Sequence, residues 1–187
     1  LVLHRRQYVK LVTQSTNRLH VFLTGIFPEG EKKYFTQLLK ILPYYPTPSE
    51  IARSRGMKRV KGVGKTTKST IKGLAKETVG IPAGYYRNLI LNLCWQREQA
   101  LTWQNEITES IEMEVGQHPY GAILRSFPRF GSITAATIIG TIGDINHWSS
   151  DKKLKKALGV YSSFQESGKS LSVRKQGRGG NRLCKSA

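Results

Sequence analysis

The residues in this chain that could do chemistry are few, and their types narrow the chemistry. There are two aspartates, Asp144 and Asp151, and ten glutamates. Five of the glutamates (Glu98, Glu106, Glu109, Glu112, Glu114) follow one another at helical spacings. Such a row suits a solvated helix face better than a magnesium site, which needs clustered carboxylates. His4, His20, His118 and His147 show no ligand spacing, and the only cysteines, Cys94 and Cys184, lie far apart. No metal site and no disulfide framework follows from them. What remains is hydroxyls, glycines and cations. Five serines crowd 160–175, and two glycine-bearing turns stand out, GVGKTTKS at 62–69 and SFPRFGS at 126–132.

The cations set the partner class. Thirty Lys plus Arg against twelve Asp plus Glu leave a formal charge of +18, and such an excess points to a polyanion, usually nucleic acid. Between Arg53 and Lys76 there are nine bases and no acid. Lys58, Arg59, Lys61, Lys65 and Lys68 are the candidate nucleic-acid contacts in it. GVGKTTKS resembles the end of a phosphate-binding loop, but Arg59 stands where that motif needs a glycine, and no apolar strand leads in. The segment reads instead as a glycine turn opening a basic helix. Its amides and lysines either hold a phosphate or face solvent as a charged surface.

The second turn belongs to SFPRFGSITAATIIGTIGD, which has the shape of a helix–hairpin–helix. In that module the amides of the turn and of the second helix meet a nucleic-acid phosphate and position the duplex without reading sequence. Arg129, Gly131 and Ser132 are its candidate contacts. The turn usually carries two glycines around an apolar residue, and Arg129 occupies the first position. A non-glycine residue at positive φ is strained, so the expectation is either a distorted turn or, instead, an arginine that adds a direct phosphate contact.

Elements must position these groups, and periodicity places them. Apolar steps of three and four predict helices over 2–27, 31–42, 83–116, 119–126 and 132–143. Shorter helices are expected over 49–55, capped by Thr47 or Ser49, and over 65–79. DKKLKKALG reads as a basic helix capped by Ser149 or Ser150 and stopped at Gly159. Residues 160–175 read as loop with a short strand pair. Pro43, Pro46 and Pro48 suggest a boundary. With 187 residues, the expected divisions are a helical 1–45, a basic linker and long coiled-coil-like arm over 46–118, and a domain from 119 to 187. The fold class is mainly α, a helical arm plus a helix–hairpin–helix-containing domain with a short β segment. No apolar run is long enough to span a membrane.

The stretch YGAILRSFPRFGSITAATIIGTIGDINHWSSDKKLKKALGVYSSFQESGKS, followed by GRGGNRL, resembles the C-terminal domain of the insertion-sequence one-ten transposases. HRRQYVKLVTQSTNRLHVFL is similar to the helix that follows that family's catalytic acidic core. The resemblance covers nearly the whole chain, most closely 120–183. It implies a DNA transposase whose serine, here Ser167 of the Ser-Gly pair, attacks phosphorus. An N-terminal RuvC-like domain would hold magnesium on four acidic residues, and a non-coding guide RNA would choose the DNA sites.

A chain beginning after those acids is expected to bind nucleic acid, bind no cofactor of its own and be inactive alone. The resemblance further implies a homo-oligomer, through the long helix, and a cytoplasmic, nucleoid-associated place in a prokaryote. Lys152, Lys153, Lys169, Arg174, Lys175, Arg178 and Arg182 are the remaining candidate DNA contacts. The alternative is a non-catalytic helix–hairpin–helix module that binds DNA or RNA.

Overall fold

The computed structural model describes residues 1–160 throughout, and the backbone alone of 162–167 and 170–176. The helices run α1 (Val2–Ile26), α2 (Pro28–Ile41), α3 (Pro48–Arg53), α4 (Lys65–Lys76), α5 (Arg87–Gln117), α6 (Pro119–Arg125), α7 (Ser132–Ile142) and α8 (Asp151–Leu158). Two strands follow, β1 (Ser162–Ser167) and β2 (Ser170–Gln176). The chain is mainly α, as expected. It divides into two compact units, one of Arg6–Asn105, the other of Leu1–Arg5 with the chain from Glu106 on.

Local chemistry explains most of the ends. α2 starts three residues earlier than the apolar pattern predicts, because Pro28 sits in its first turn and Glu29 and Glu31 meet the positive end of the helix. Thr47 caps α3, its hydroxyl accepting from the Glu50 amide. Ser150 caps α8 in the same way through the Lys153 amide, and α8 ends where Gly159 turns left-handed at φ 76.

In the 6–105 unit a single apolar core draws on five helices. Leu19, Leu23, Ile26, Leu38, Ile41, Ile51, Ile71, Ile90 and Leu93 are all buried, with Phe27, Met57 and Val60 from the connections. Each such side chain contributes roughly 1.5–3 kcal/mol by leaving water. The proline stretch 43–48 therefore lies inside one packed unit: Pro46, Thr47 and Pro48 are buried, and residues on both sides of it feed the same core. Arg97 ties α5 to α1 by donating to the Thr16 hydroxyl at 3.1 Å, and Tyr8 packs on Trp103. Cys94 is free and buried there; burial, with Glu98 nearby, pushes its thiol up to about 12.

The other unit has a smaller core of Ile111, Val115 and Ala135, with Val2, Ile107, Leu124, Ala136 and Ile139 partly buried around it. Gly121 is required at the start of α6, because a Cβ there would overlap the carbonyl oxygen of Val115. β1 and β2 pair antiparallel, Ser162 opposite Gln176 and Ser167 opposite Ser170, with an irregularity between Gln165 and Ser167.

One carboxylate clamps the connection after α4. Glu29 accepts from the Val79 amide at 3.0 Å and from the Thr78 hydroxyl at 2.7 Å. The Val79 amide first, then Thr78, hold its carboxyl below the ordinary value of 4.5. A depressed carboxyl stabilises the fold above its unfolded pKa, and that contribution is lost as pH falls through the folded value. Glu29→Gln should therefore flatten the acid limb of stability against pH, as pH falls below the ordinary carboxyl value of 4.5. Thermal unfolding of both proteins checks this, and superimposable limbs would contradict it.

Candidate functional site

Two turns place the groups of interest, one in each unit. In the unit that contains 129–131, α6 ends at Arg125, and the turn Phe127–Phe130 leads to Gly131, which caps α7 with φ −79 and ψ 173. Arg129 adopts φ 69. The left-handed conformation that glycine usually supplies is thus taken by arginine without the turn being lost. Its side chain is exposed, so the guanidinium is free to meet an anion. Phe127 and Phe130 flank it, their rings 5.7 Å apart. Ser132 is the first residue of α7. Ala135 is fully buried against Ile111 and Val115, which shows what its small side chain does: it lets α7 approach α5 closely.

Lys152 and Lys153 lie exposed in the first turn of α8. Lys153 also donates to the Ser149 hydroxyl at 2.9 Å, and Lys155 pairs with Asp151 at 3.1 Å. That pairing holds the Asp151 carboxyl below its ordinary range. Trp148 is half-buried, its indole N–H donating to the Ile142 carbonyl at 2.8 Å, and His147 is exposed.

Ser167 is the last residue of β1, opposite Ser170; Arg174 and Lys175 stand on β2 opposite Phe164 and Ser163. The side chains of these three, and Lys169, Arg178 and Arg182 altogether, lie outside the described residues.

In the 6–105 unit the turn 62–64 repeats the same local backbone. Gly62 has φ 70, Val63 follows, and Gly64 caps α4 with φ −62 and ψ 154. What precedes it is α3 and an irregular loop, not the strand a nucleotide-binding loop requires. Gly56 and Met57 are consecutive left-handed residues in that loop, at φ 76 and 47. The strain at Met57 is held by complete burial of its side chain.

The cations here separate into two sets. Lys68 is half-buried and donates to the carbonyls of Met57, at 3.1 Å, and Val60, at 2.5 Å. Lys72 donates to the Ser54 carbonyl at 2.7 Å, and Lys40 to that of Gly62 at 3.2 Å. The sequence groups Lys68 with the outward contacts; the structure gives its ammonium to the loop backbone. Lys58, Arg59, Lys61 and Lys65 are exposed. So are Arg53 and Arg55, which count in the basic run but which no sequence motif singles out. Among the described residues no three of His, Cys, Asp and Glu gather as a metal site.

Compared with known proteins, residues 121–187 match the family described as Transposase IS116/IS110/IS902. The chain is also 24% identical, over 193 residues, to the insertion element IS110 uncharacterized 43.6 kDa protein of Streptomyces coelicolor, covering 94% of this chain and 47% of that protein. Both comparisons point to IS110-type transposases, and the family match lies over residues 121–187. The chain spans about half the length of that relative. No solved structure matches it.

Two substitutions test the geometry. Arg129→Gly removes the left-handed penalty of about 1–2 kcal/mol but frees the unfolded chain by up to ~1 kcal/mol, so stability should hold or rise by up to about 1 kcal/mol. Denaturant unfolding measures it, and a clear loss would show that the arginine side chain supports the turn. Lys68→Met should cost about 1–3 kcal/mol by leaving two carbonyls without their donor. A Lys68→Met chain as stable as the parent would place that ammonium in solvent.

Proposed function

We propose that this chain is the DNA-handling and serine-bearing part of a transposase that cuts and rejoins the strands of an insertion sequence. The observation that carries the reading is the family domain over 121–187, which contains the Arg129 turn, α8 and Ser167. The α6–turn–α7 pair acts as a helix–hairpin–helix: the start of α7, a helix N-terminus, and the exposed Arg129 meet a backbone phosphate. Lys152 and Lys153 add charge from the first turn of α8, and Lys169, Arg174, Lys175, Arg178 and Arg182 add it around the serine.

In the reaction the Ser167 oxygen attacks a DNA phosphorus. A bond from oxygen to phosphorus forms, the bond to one deoxyribose oxygen breaks, and that oxygen takes up a proton while serine loses one. The strand is held as a phosphoserine ester until a DNA hydroxyl attacks it and restores the serine. The pentavalent transition state gathers negative charge on its equatorial oxygens, and fixed cations lower its energy.

Magnesium, which the resemblance implies for the whole protein, finds no ligand set among the described residues of this chain, and no step here is routed through it. A guide RNA and self-association through α5 belong to the same reading. The exposed Trp95 and Trp103 on α5 support self-association.

The test uses the full-length transposase with magnesium, its RNA and labelled target DNA, and looks for a covalent protein–DNA adduct under denaturing conditions. Ser167→Ala should abolish the adduct, while Ser163→Ala and Ser170→Ala should keep it. An adduct that persists in Ser167→Ala would overturn the assignment.

A further inference from the structure

We infer that the 6–105 unit carries its own docking surface for the backbone of duplex DNA. The surface is made by Arg53, Arg55, Lys58, Arg59, Lys61 and Lys65. The inference rests on the reading of the chain as a DNA-handling protein, and it concerns residues outside the matched domain of 121–187.

Three observations carry it. The six side chains are all exposed, and none has an ion-pair partner among the described residues. No acid lies between Ile51 and Lys76 to neutralise them, and the nearest one before them, Glu50, is already engaged by Arg87 at 2.9 Å. Six uncompensated cations on one loop and the helix ends that flank it repel each other, and an anionic partner relieves that repulsion.

The loop is also held in shape before any partner arrives. Lys68, Lys72 and Lys40 donate to carbonyls at Met57, Val60, Ser54 and Gly62, and Met57 and Val60 are anchored in the core. Arg55, Lys58, Arg59 and Lys61 fall between these anchors, and Arg53 and Lys65 flank them, so binding orders little new backbone. A merely solvated charged segment has no need of three lysines donating to its carbonyls.

Composition decides which polyanion. No Phe, Tyr, Trp or His occurs between Arg53 and Lys76. Single strands are usually held by stacking bases on aromatic rings, so this surface meets phosphates rather than bases. Contacts of that kind position a duplex and read no sequence. Arginine and lysine in equal number supply both bidentate and point-charge contacts to phosphate.

The experiment measures affinity of the full chain for a labelled DNA duplex of arbitrary sequence, and for an RNA hairpin of equal charge, over a salt series. The triple variant Lys58→Gln, Arg59→Gln, Lys61→Gln should weaken duplex DNA binding. It should also lower the slope of log affinity against log salt by about 0.9 for each phosphate it no longer neutralises. Its unfolding transition should stay where the parent's is, since all three side chains are exposed. Should the triple variant unfold, the three single variants carry the same test, each with its own share of the slope. A slope and affinity equal to the parent's overturn the inference, as does a loss confined to the RNA hairpin. The pair Lys152→Gln, Lys153→Gln keeps the two readings apart. If that pair weakens binding and the triple variant does not, the 119–187 reading stands and this one fails. The opposite result leaves this surface standing and removes α8 from the interface.

Discussion

Thirty cations and twelve carboxylates cannot neutralise one another, and self-repulsion is the constraint that the rest of this fold accommodates. Among the described residues the side-chain pairs are few: Arg87 with Glu50, Lys155 with Asp151, and His20 with Glu31. Such exposed pairs contribute little. The fold relies on burial instead, with an aliphatic core in the 6–105 unit and a smaller one in the other. Where a cation must come close to the protein it is satisfied by backbone carbonyls, as at Lys68, Lys72 and Lys40. A carbonyl accepts from an ammonium without adding a charge, so the net positive field outside survives.

That solution ties stability to function in the loop 54–62. The same three lysines that would add to the repulsion shape the loop that presents the remaining cations. Met57 is the pivot. Its side chain fills the core, its φ of 47 turns the chain, and its carbonyl receives Lys68. Small residues do the corresponding work around α7: Gly121 and Ala135 admit close approach, and the turn at Arg129 tolerates a left-handed arginine. The recurrence of a left-handed residue, an apolar residue and a capping glycine at 62–64 and 129–131 shows one local backbone serving in both units.

Much of the helical content was legible, because apolar periodicity and capping residues are local. Thr47, Ser150 and Gly159 end their helices as their chemistry requires. The motif block from Tyr120 to Ser170 carried the family, and the comparison over 121–187 agrees with it. Two features depend on long-range contacts. Pro46 and Pro48 are buried, and residues on both sides of them feed one core. The run of nine bases holds Lys68 and Lys72, which donate to carbonyls, beside exposed cations.

By itself the sequence determined the helices, the sign and size of the charge, the glycine turns and the family to which the serine-bearing block is similar. All of these depend on residues close together along the chain. Tertiary structure alone decided which lysines give their ammonium to loop carbonyls and that Arg53 and Arg55 stand with the outward set. Each of these depends on neighbours many residues away: a carbonyl eleven positions back from Lys68, or a core built from five helices. Charge counted along a chain has no direction, and only packing gives it one.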